Sequence, residues 1–235
     1  SRVNLGQDVP VILSMTPSVN ITSDAGNGIG YTGMSIRGSD GSRINVTING
    51  VPLNDSESHA TYWVDLPDFA SSISSIQIQR GVGTSTNGAG AFGGSINVST
   101  KKQSQAPKFK LSNSFGSYGT LKNSISFSTG RVGKYFELSG NLSKIYSDGY
   151  IDRASSNLKG YFLQGSYDKD RTSIKFIAFG GHERTYQAWY GLDQETLSNN
   201  RKFNYAGMYF NDDGDQFFYD KQEDNYKQDH YQLIF

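Results

Sequence analysis

Few side chains in this sequence are arranged for bond chemistry. Its three histidines, His59, His182 and His230, lie far apart, and it contains no cysteine. Thiolate metal sites, disulfides and cysteine nucleophiles are excluded together. No G-x-S-x-G or H-E-x-x-H run is present to place a nucleophile or a zinc ion. Gly88-Ala89-Gly90-Ala91-Phe92-Gly93 has the spacing of a dinucleotide fingerprint. It leads into a strand-like run at 95–99, however, and so offers no helix dipole to a pyrophosphate. Gly83 to Gly88 has phosphate-loop spacing, with Ala89 where the lysine is needed. Asn211-Asp212-Asp213-Gly214-Asp215 has the composition of a calcium loop, but its glycine is at the wrong offset and no glutamate closes it, so it reads as a solvated loop tip. The expectation is a protein that is not an enzyme, with no cofactor and no metal site.

What remains are two arginines at strand ends, in Ile36-Arg37-Gly38 and Ile78-Gln79-Arg80-Gly81, with His59, Tyr62 and Trp63 between them. A guanidinium fork suits bidentate pairing with a carboxylate, although a strand-end arginine is also an ordinary surface residue.

The elements that must position these residues change character near 101–107. Before that stretch, Asp8 reads as the N-cap of a short helix with Pro10 in its first turn. Strand-like runs follow at 34–37, 44–48, 73–79 and 95–99, with an Asn49-Gly50 turn and a second short helix opening at 66–70. This is a small α+β unit. After Pro107 the rhythm is strict alternation. Phe109, Leu111 and Phe115 share one parity; so do Ile125 and Phe127, Phe136, Leu138 and Leu142, Tyr161, Leu163 and Tyr167, Ile174 and Phe176, and Tyr231, Leu233 and Phe235. The opposite parity is mostly Ser, Asn, Gly and Lys. Short connections at 130–134 and 168–171 alternate with long polar, aromatic ones at 147–157 and 182–226. Six segments of about ten residues with that asymmetry fit outer-membrane barrel strands.

Composition agrees. The 235 residues carry 22 Lys+Arg against 22 Asp+Glu, with 27 Gly, 15 Tyr and 14 Phe. Zero net charge argues against a nucleic-acid partner. No apolar run is long enough for a membrane helix. Alternation alone leaves a soluble β-sandwich or β-solenoid open; the weakly charged polar parity favours a barrel lumen. Six strands are too few to enclose a hundred-residue unit, so the sequence reads as cut off in mid-barrel.

Four motifs in order carry a resemblance: Ile36-Arg37-Gly38; Asn49-Gly50-Val51-Pro52; Ile78-Gln79-Arg80-Gly81 with Thr84-Ser85; and Ala89-Gly90-Ala91-Phe92-Gly93-Gly94-Ser95-Ile96-Asn97-Val98-Ser99-Thr100-Lys101. Over about residues 3–102 the chain resembles the plug domain of TonB-dependent outer-membrane receptors, and Gln187-Ala188-Trp189-Tyr190-Gly191 and Asp224-Asn225-Tyr226-Lys227-Gln228-Asp229-His230 resemble their iron-complex, siderophore-type branch. Gln77 stands where many relatives have Glu, Val82 replaces the usual Pro, and no TonB box is recognisable before Arg2. The resemblance implies an α+β plug domain over 1–104 and the first antiparallel strands of a transmembrane β-barrel over 105–235, incomplete in this chain. It implies outer-membrane localisation in a Gram-negative bacterium, lipid around the barrel, TonB as energy-transducing partner, and import of a small extracellular ligand such as a ferric siderophore. Haem, cobalamin or oligosaccharide uptake, or a β-rich binding protein without transport, are the alternatives.

Residue by residue, Arg37 and Arg80 match plug arginines that pair with carboxylates on the barrel wall. Gly38, Gly81, Gly93 and Gly94 would allow tight turns where plug meets wall. Ligand recognition would fall to two outward apices, the first with Asp40 and Arg43 and the second with Glu57, His59, Tyr62 and Trp63. The second would offer an imidazole and aromatic faces to a bulky chelate or planar ligand, with packing of Tyr62 and Trp63 against the barrel wall as the equal alternative. Tyr186, Trp189 and Tyr190 would close the pocket from a barrel loop.

Overall fold

The computed structural model describes residues 4–82, 91–102 and 104–235. Chain entry is through α1 (Val9–Leu13), which has Pro10 in its first turn, where a fixed φ is preorganised for helix. Asp8 does not cap this helix as the sequence suggests. It is buried, and its carboxylate turns inward to accept the Thr32 hydroxyl at 2.9 Å. A hairpin follows, β1 (Val19–Ser23) antiparallel to β2 (Thr32–Ile36). The run forming β1 has only Val19 and Ile21 as apolar residues, too few for alternation to announce it.

The second sheet of this unit contains β3 (Ile44–Ile48), β4 (Val51–Pro52), β5 (Ile73–Arg80) and β6 (Gly94–Thr100), in the order β4-β3-β6-β5. The Asn49-Gly50 turn joins β3 to β4 with both residues at positive φ, 51° and 84°, the backbone of a tight twisted hairpin. β3 runs parallel to β6, which is antiparallel to β5. Ile36, Ile44, Ile48, Ile96 and Val98 fill the core between the sheets. The helix expected at 66–70 is a single 3₁₀ turn, Phe69–Ser72, entered through Asp68 at φ 56°.

After Pro107 comes an open six-stranded antiparallel sheet, ordered β14-β11-β10-β9-β8-β7. Its strands are β7 (Lys108–Phe115), β8 (Leu121–Ser128), β9 (Phe136–Ser147), β10 (Ser156–Lys169), β11 (Thr172–Tyr186) and β14 (Glu223–Ile234). At one end the connections are short, at 129–135 and 170–171. The other end carries 116–120, 148–155 and the long connection 187–222, which holds α2 (Gln194–Asn199) and the hairpin β12 (Met208–Phe210) with β13 (Gln216–Phe218). The Asn211–Asp215 run closes on itself as the turn of that hairpin, Asp215 N–H donating to the Asn211 side chain at 2.7 Å.

The two faces of this sheet are reversed relative to a soluble protein. Leu138 and Phe176 are each 46% exposed and Phe109 73%, while Lys122, Glu137, Asn141 and Gln164 on the opposite parity are buried. An exposed apolar band backed by a covered polar face is what a lipid-facing wall requires. The covered face is less hydrated than its serines and asparagines suggest. Ile145, Leu158, Phe162, Ile177 and Phe179 are also buried there, because the amino-terminal unit lies against it. Phe69 of that unit meets Phe179 and Phe162 at ring-centroid distances of 5.3 and 6.0 Å, making one core across the junction. No helix among the described residues is long and apolar enough to cross a membrane.

Candidate functional site

Arg37 and Arg80 come together although 43 positions separate them. Arg37 and Gly38 are both left-handed, φ 51° and 79°, and turn the chain so tightly that Ile36 and Ser39 exchange backbone hydrogen bonds of 3.0 Å. The Arg37 N–H donates to Ser18 O at 2.9 Å, and Arg80 Nη1 donates to Pro17 O at 3.3 Å. Arg37 Nη1 lies 3.2 Å from where a β-carbon on Gly81 would stand, so glycine there leaves room for the guanidinium. Both arginines are exposed, and no carboxylate among the described residues forms an ion pair with either. The β1–β2 hairpin explains their position. Its loop end, 24–31, touches the sheet, and about five residues on, roughly 17 Å away, Arg37 and Gly38 turn at the opposite end. The close approaches of Gly93 and Gly94 are internal to the unit: a β-carbon would strike Ser39 at the first and the Gln79 carbonyl at the second.

The junction itself is built from residues that sequence motifs do not mark. Pro67 presses on β10 and β11 where Gly160 and Gly181 leave space; a β-carbon at either would collide with the Pro67 carbonyl oxygen or ring. Next to it, the Asp68 carboxylate accepts from Lys122 Nζ of β8 at 2.5 Å, Asn141 Nδ2 of β9 at 3.2 Å, Ser71 Oγ at 2.6 Å and Asn4 Nδ2 at 3.1 Å. The Asp68 and Lys122 side chains are 0% and 3% exposed. Near the long-loop end, Asn27 Nδ2 donates to Ser147 Oγ at 2.7 Å and Tyr31 OH to Glu183 Oε1 at 3.2 Å. Burial, then Glu183, pushes the Tyr31 phenol up from its usual value. Asp65 is buried in the 3₁₀ turn Trp63–Asp65, its Oδ1 without a partner, and burial pushes its carboxyl up to about 6.

Of the apex residues, some reach solvent and some do not. The Asp40 carboxylate accepts the Ser42 hydroxyl and N–H, which hold it below the usual carboxylate range. Arg43 is exposed, its carbonyl accepting from Gly93 N at 2.8 Å. Glu57 and His59 are exposed on a loop that Asp55 organises by accepting from the Glu57 and Ser58 N–H groups. His59 itself sits at φ 57° and Tyr62 is 43% exposed. Trp63 is 3% exposed and belongs to the core shared by the amino-terminal unit and the wall, which favours the packing alternative over an open ligand face. Tyr186 is likewise buried, its hydroxyl donating to Tyr219 O at 2.6 Å, where it braces the long loop. Trp189 and Tyr190 are exposed and stacked, centroids 4.1 Å apart. The G-x-G-x-x-G run enters strand β6; its Gly88-Ala89-Gly90 portion, the Gly83–Gly88 spacing and Thr84-Ser85 lie outside the described residues, as does the approach to Arg2.

Residues 4–95 match the family model described as TonB-dependent Receptor Plug Domain. Over those residues the chain is similar to the plug of TonB-dependent receptors. The plug and the six-stranded wall together superpose on P. aeruginosa FpvA in complex with a heterologous pyoverdine and iron, with TM-score 0.69 and 13% identity, over 96% of this chain and 28% of that one. The copper transporter OprC matches with TM-score 0.65 and 18% identity over 78% of this chain and 29% of that one. The ferric yersiniabactin uptake receptor FyuA from Yersinia pestis matches at 0.60 and 18%, over 77% and 29%. This chain thus spans less than a third of the length of those structures. No curated protein sequence matches it. The fold is a plug followed by antiparallel strands of a barrel whose sheet is open here.

Proposed function

We propose that this chain is the plug and opening strands of an active importer in a Gram-negative outer membrane, bringing in a scarce ligand of the ferric siderophore or related iron-complex class. The observation that carries this reading is the inside-out wall: an apolar band outside, and a plug sealed against the inner face by Phe69, Pro67 and Asp68. Such a stopper forbids free diffusion, so passage needs work done on the plug, which in this fold family points to TonB coupled to the inner-membrane proton gradient. Arg37 and Arg80, on the face turned from the six strands, are placed to meet carboxylates elsewhere on a closed barrel. Their convergence at Pro17 and Ser18 supports one shared anchor. Glu57, His59 and Tyr62 from the plug, with Trp189 and Tyr190 from the long loop, are the exposed groups suited to a chelate, and Asp40 and Arg43 are exposed on the other plug apex. Similarly folded proteins named for iron–pyoverdine, ferric yersiniabactin and copper favour metal-containing cargo over oligosaccharide.

The test is uptake of radiolabelled iron as defined chelates by cells expressing the full-length receptor. Accumulation that stops when TonB is deleted or the proton gradient is collapsed supports the proposal. Accumulation indifferent to both, or none with any chelate that the receptor binds, contradicts it.

A further inference from the structure

Between the plug and β7–β10 lies a cavity of about 940 Å³, with Lys101, Lys102, Lys108, Lys110, Lys122 and Glu137 among its lining. Lys122 is neutralised by Asp68. Among the described residues the other four lysines have no ion-pair partner. Glu137 is the one carboxylate of this lining: its Oε1 accepts from Ser104 N at 2.9 Å and Ser128 Oγ at 2.8 Å, its Oε2 is buried without a hydrogen-bond partner among the described residues, and the lysines outnumber it. Partial desolvation, then the nearby Lys110, lower the Lys101 ammonium from its usual value against the opposing pull of the Asp68 carboxylate. Lined by serines and lysines, this cavity suits hydrated anions.

Asp68 stands at its edge as a four-way junction. One carboxylate ties the amino-terminal segment through Asn4, the 3₁₀ turn through Ser71, and two wall strands through Lys122 and Asn141. Those four partners all line the cavity. Displacing Asp68 would therefore free the plug from β8 and β9 and add an uncompensated fifth lysine to the passage. The amino-terminal segment is tied to this carboxylate twice, directly by Asn4 and through Ser71, to which Asn4 also donates at 3.1 Å. We propose that Asp68 is a latch between plug and wall, and that its release converts the lysine-lined cavity into a path selective for small anionic solutes. This rests on the import reading above, and specifies the route and the charge of what passes.

The experiment is ion conduction by full-length receptor in planar bilayers under a KCl gradient, which needs no knowledge of the cargo. Wild type stays closed. Asp68→Asn removes the charge while keeping the shape, and should raise the leak on the order of tenfold or more, since a buried pair broken on one side is strongly disfavoured. The reversal potential should lie toward chloride. Adding Lys101→Gln and Lys110→Gln to Asp68→Asn should keep the leak and move the reversal potential toward zero. Should Asp68→Asn fail to insert, Lys122→Met breaks the same pair from the wall side and is expected to leak as well. A receptor as tight as wild type, a leak without chloride preference, or a preference unmoved by the lysine changes would overturn the proposal. So would failure of both latch variants to insert, which would make the pair a folding requirement. Wild-type iron uptake, scored separately, shows whether the import reading stands.

Discussion

Trp63 and His59 are four residues apart and answer to different physics. Trp63 fills the plug core, so Trp63→Ala should cost about 3–5 kcal/mol, read as a lowered denaturation midpoint of the full-length receptor in detergent. His59 is exposed, and His59→Ala should leave that midpoint nearly unchanged while weakening ligand binding by titration. Equal losses of stability would remove His59 from the binding surface. Asp65 supplies a pH signature. Its folded pKa of about 6 lies above the ordinary 3.8 because burial penalises the carboxylate. Its protonation therefore favours the folded plug: that contribution is complete below pH ~4 and is lost as pH rises through about 6. Asp65→Asn should then stabilise the receptor at pH 8 by on the order of 1–2 kcal/mol, as water still reaches part of the group, with the difference vanishing near pH 4. Buried Asp8 and partly buried Asp24 are raised for the same reason and act in the same direction. Arg37 and Arg80 were legible in the sequence because each precedes a glycine at a strand end. Asp68 was not. Pro67-Asp68-Phe69 reads locally as a helix start, and its partner Lys122 is 54 positions away, a distance that no periodicity spans.

At the level of elements, the barrel strands declared themselves because a wall with lipid on one side forces alternation. β8, β9 and β10 keep the expected alternation over most of their length, whereas residues 177–181 of β11 are buried on both parities, Ala178 among them. β1 and the β12–β13 hairpin escaped because they are short and partly polar. The burial of Tyr186 escaped, and that of Trp63 stood only as one of two readings, because an aromatic residue near an apex has the same local pattern whether it faces a ligand or a core. Nor did the sequence show why glycines recur on β10 and β11. Gly160 and Gly181 make room for Pro67, so Gly160→Ala should overpack that contact by about 1–3 kcal/mol. Limited proteolysis should then cut the plug faster while the barrel keeps its strand content. Unchanged plug protection would show that the junction tolerates slack.

For the whole molecule, the arrangement of apolar exterior, polar and aromatic interior and inserted plug follows from one demand: every backbone polar group in hydrocarbon must be paired, and every lumen-facing side chain must meet either water or the plug. Leu138→Arg, on the exposed face, should cost about 2–4 kcal/mol near the membrane centre and slow insertion into vesicles, whereas Ser139→Arg, on the covered parity next to the cavity, should interfere with the plug and not with insertion. The most direct test of the account is to place nitroxide labels singly at Phe127, Leu138 and Phe176, and at Ser126, Ser139 and Lys175, in full-length receptor reconstituted in lipid. The account predicts that the first three are relaxed by oxygen dissolved in the bilayer and shielded from an aqueous nickel chelate, with the opposite bias at the other three. Aqueous access to Leu138 and Phe176, or their shielding from both reagents within a protein core, would contradict it.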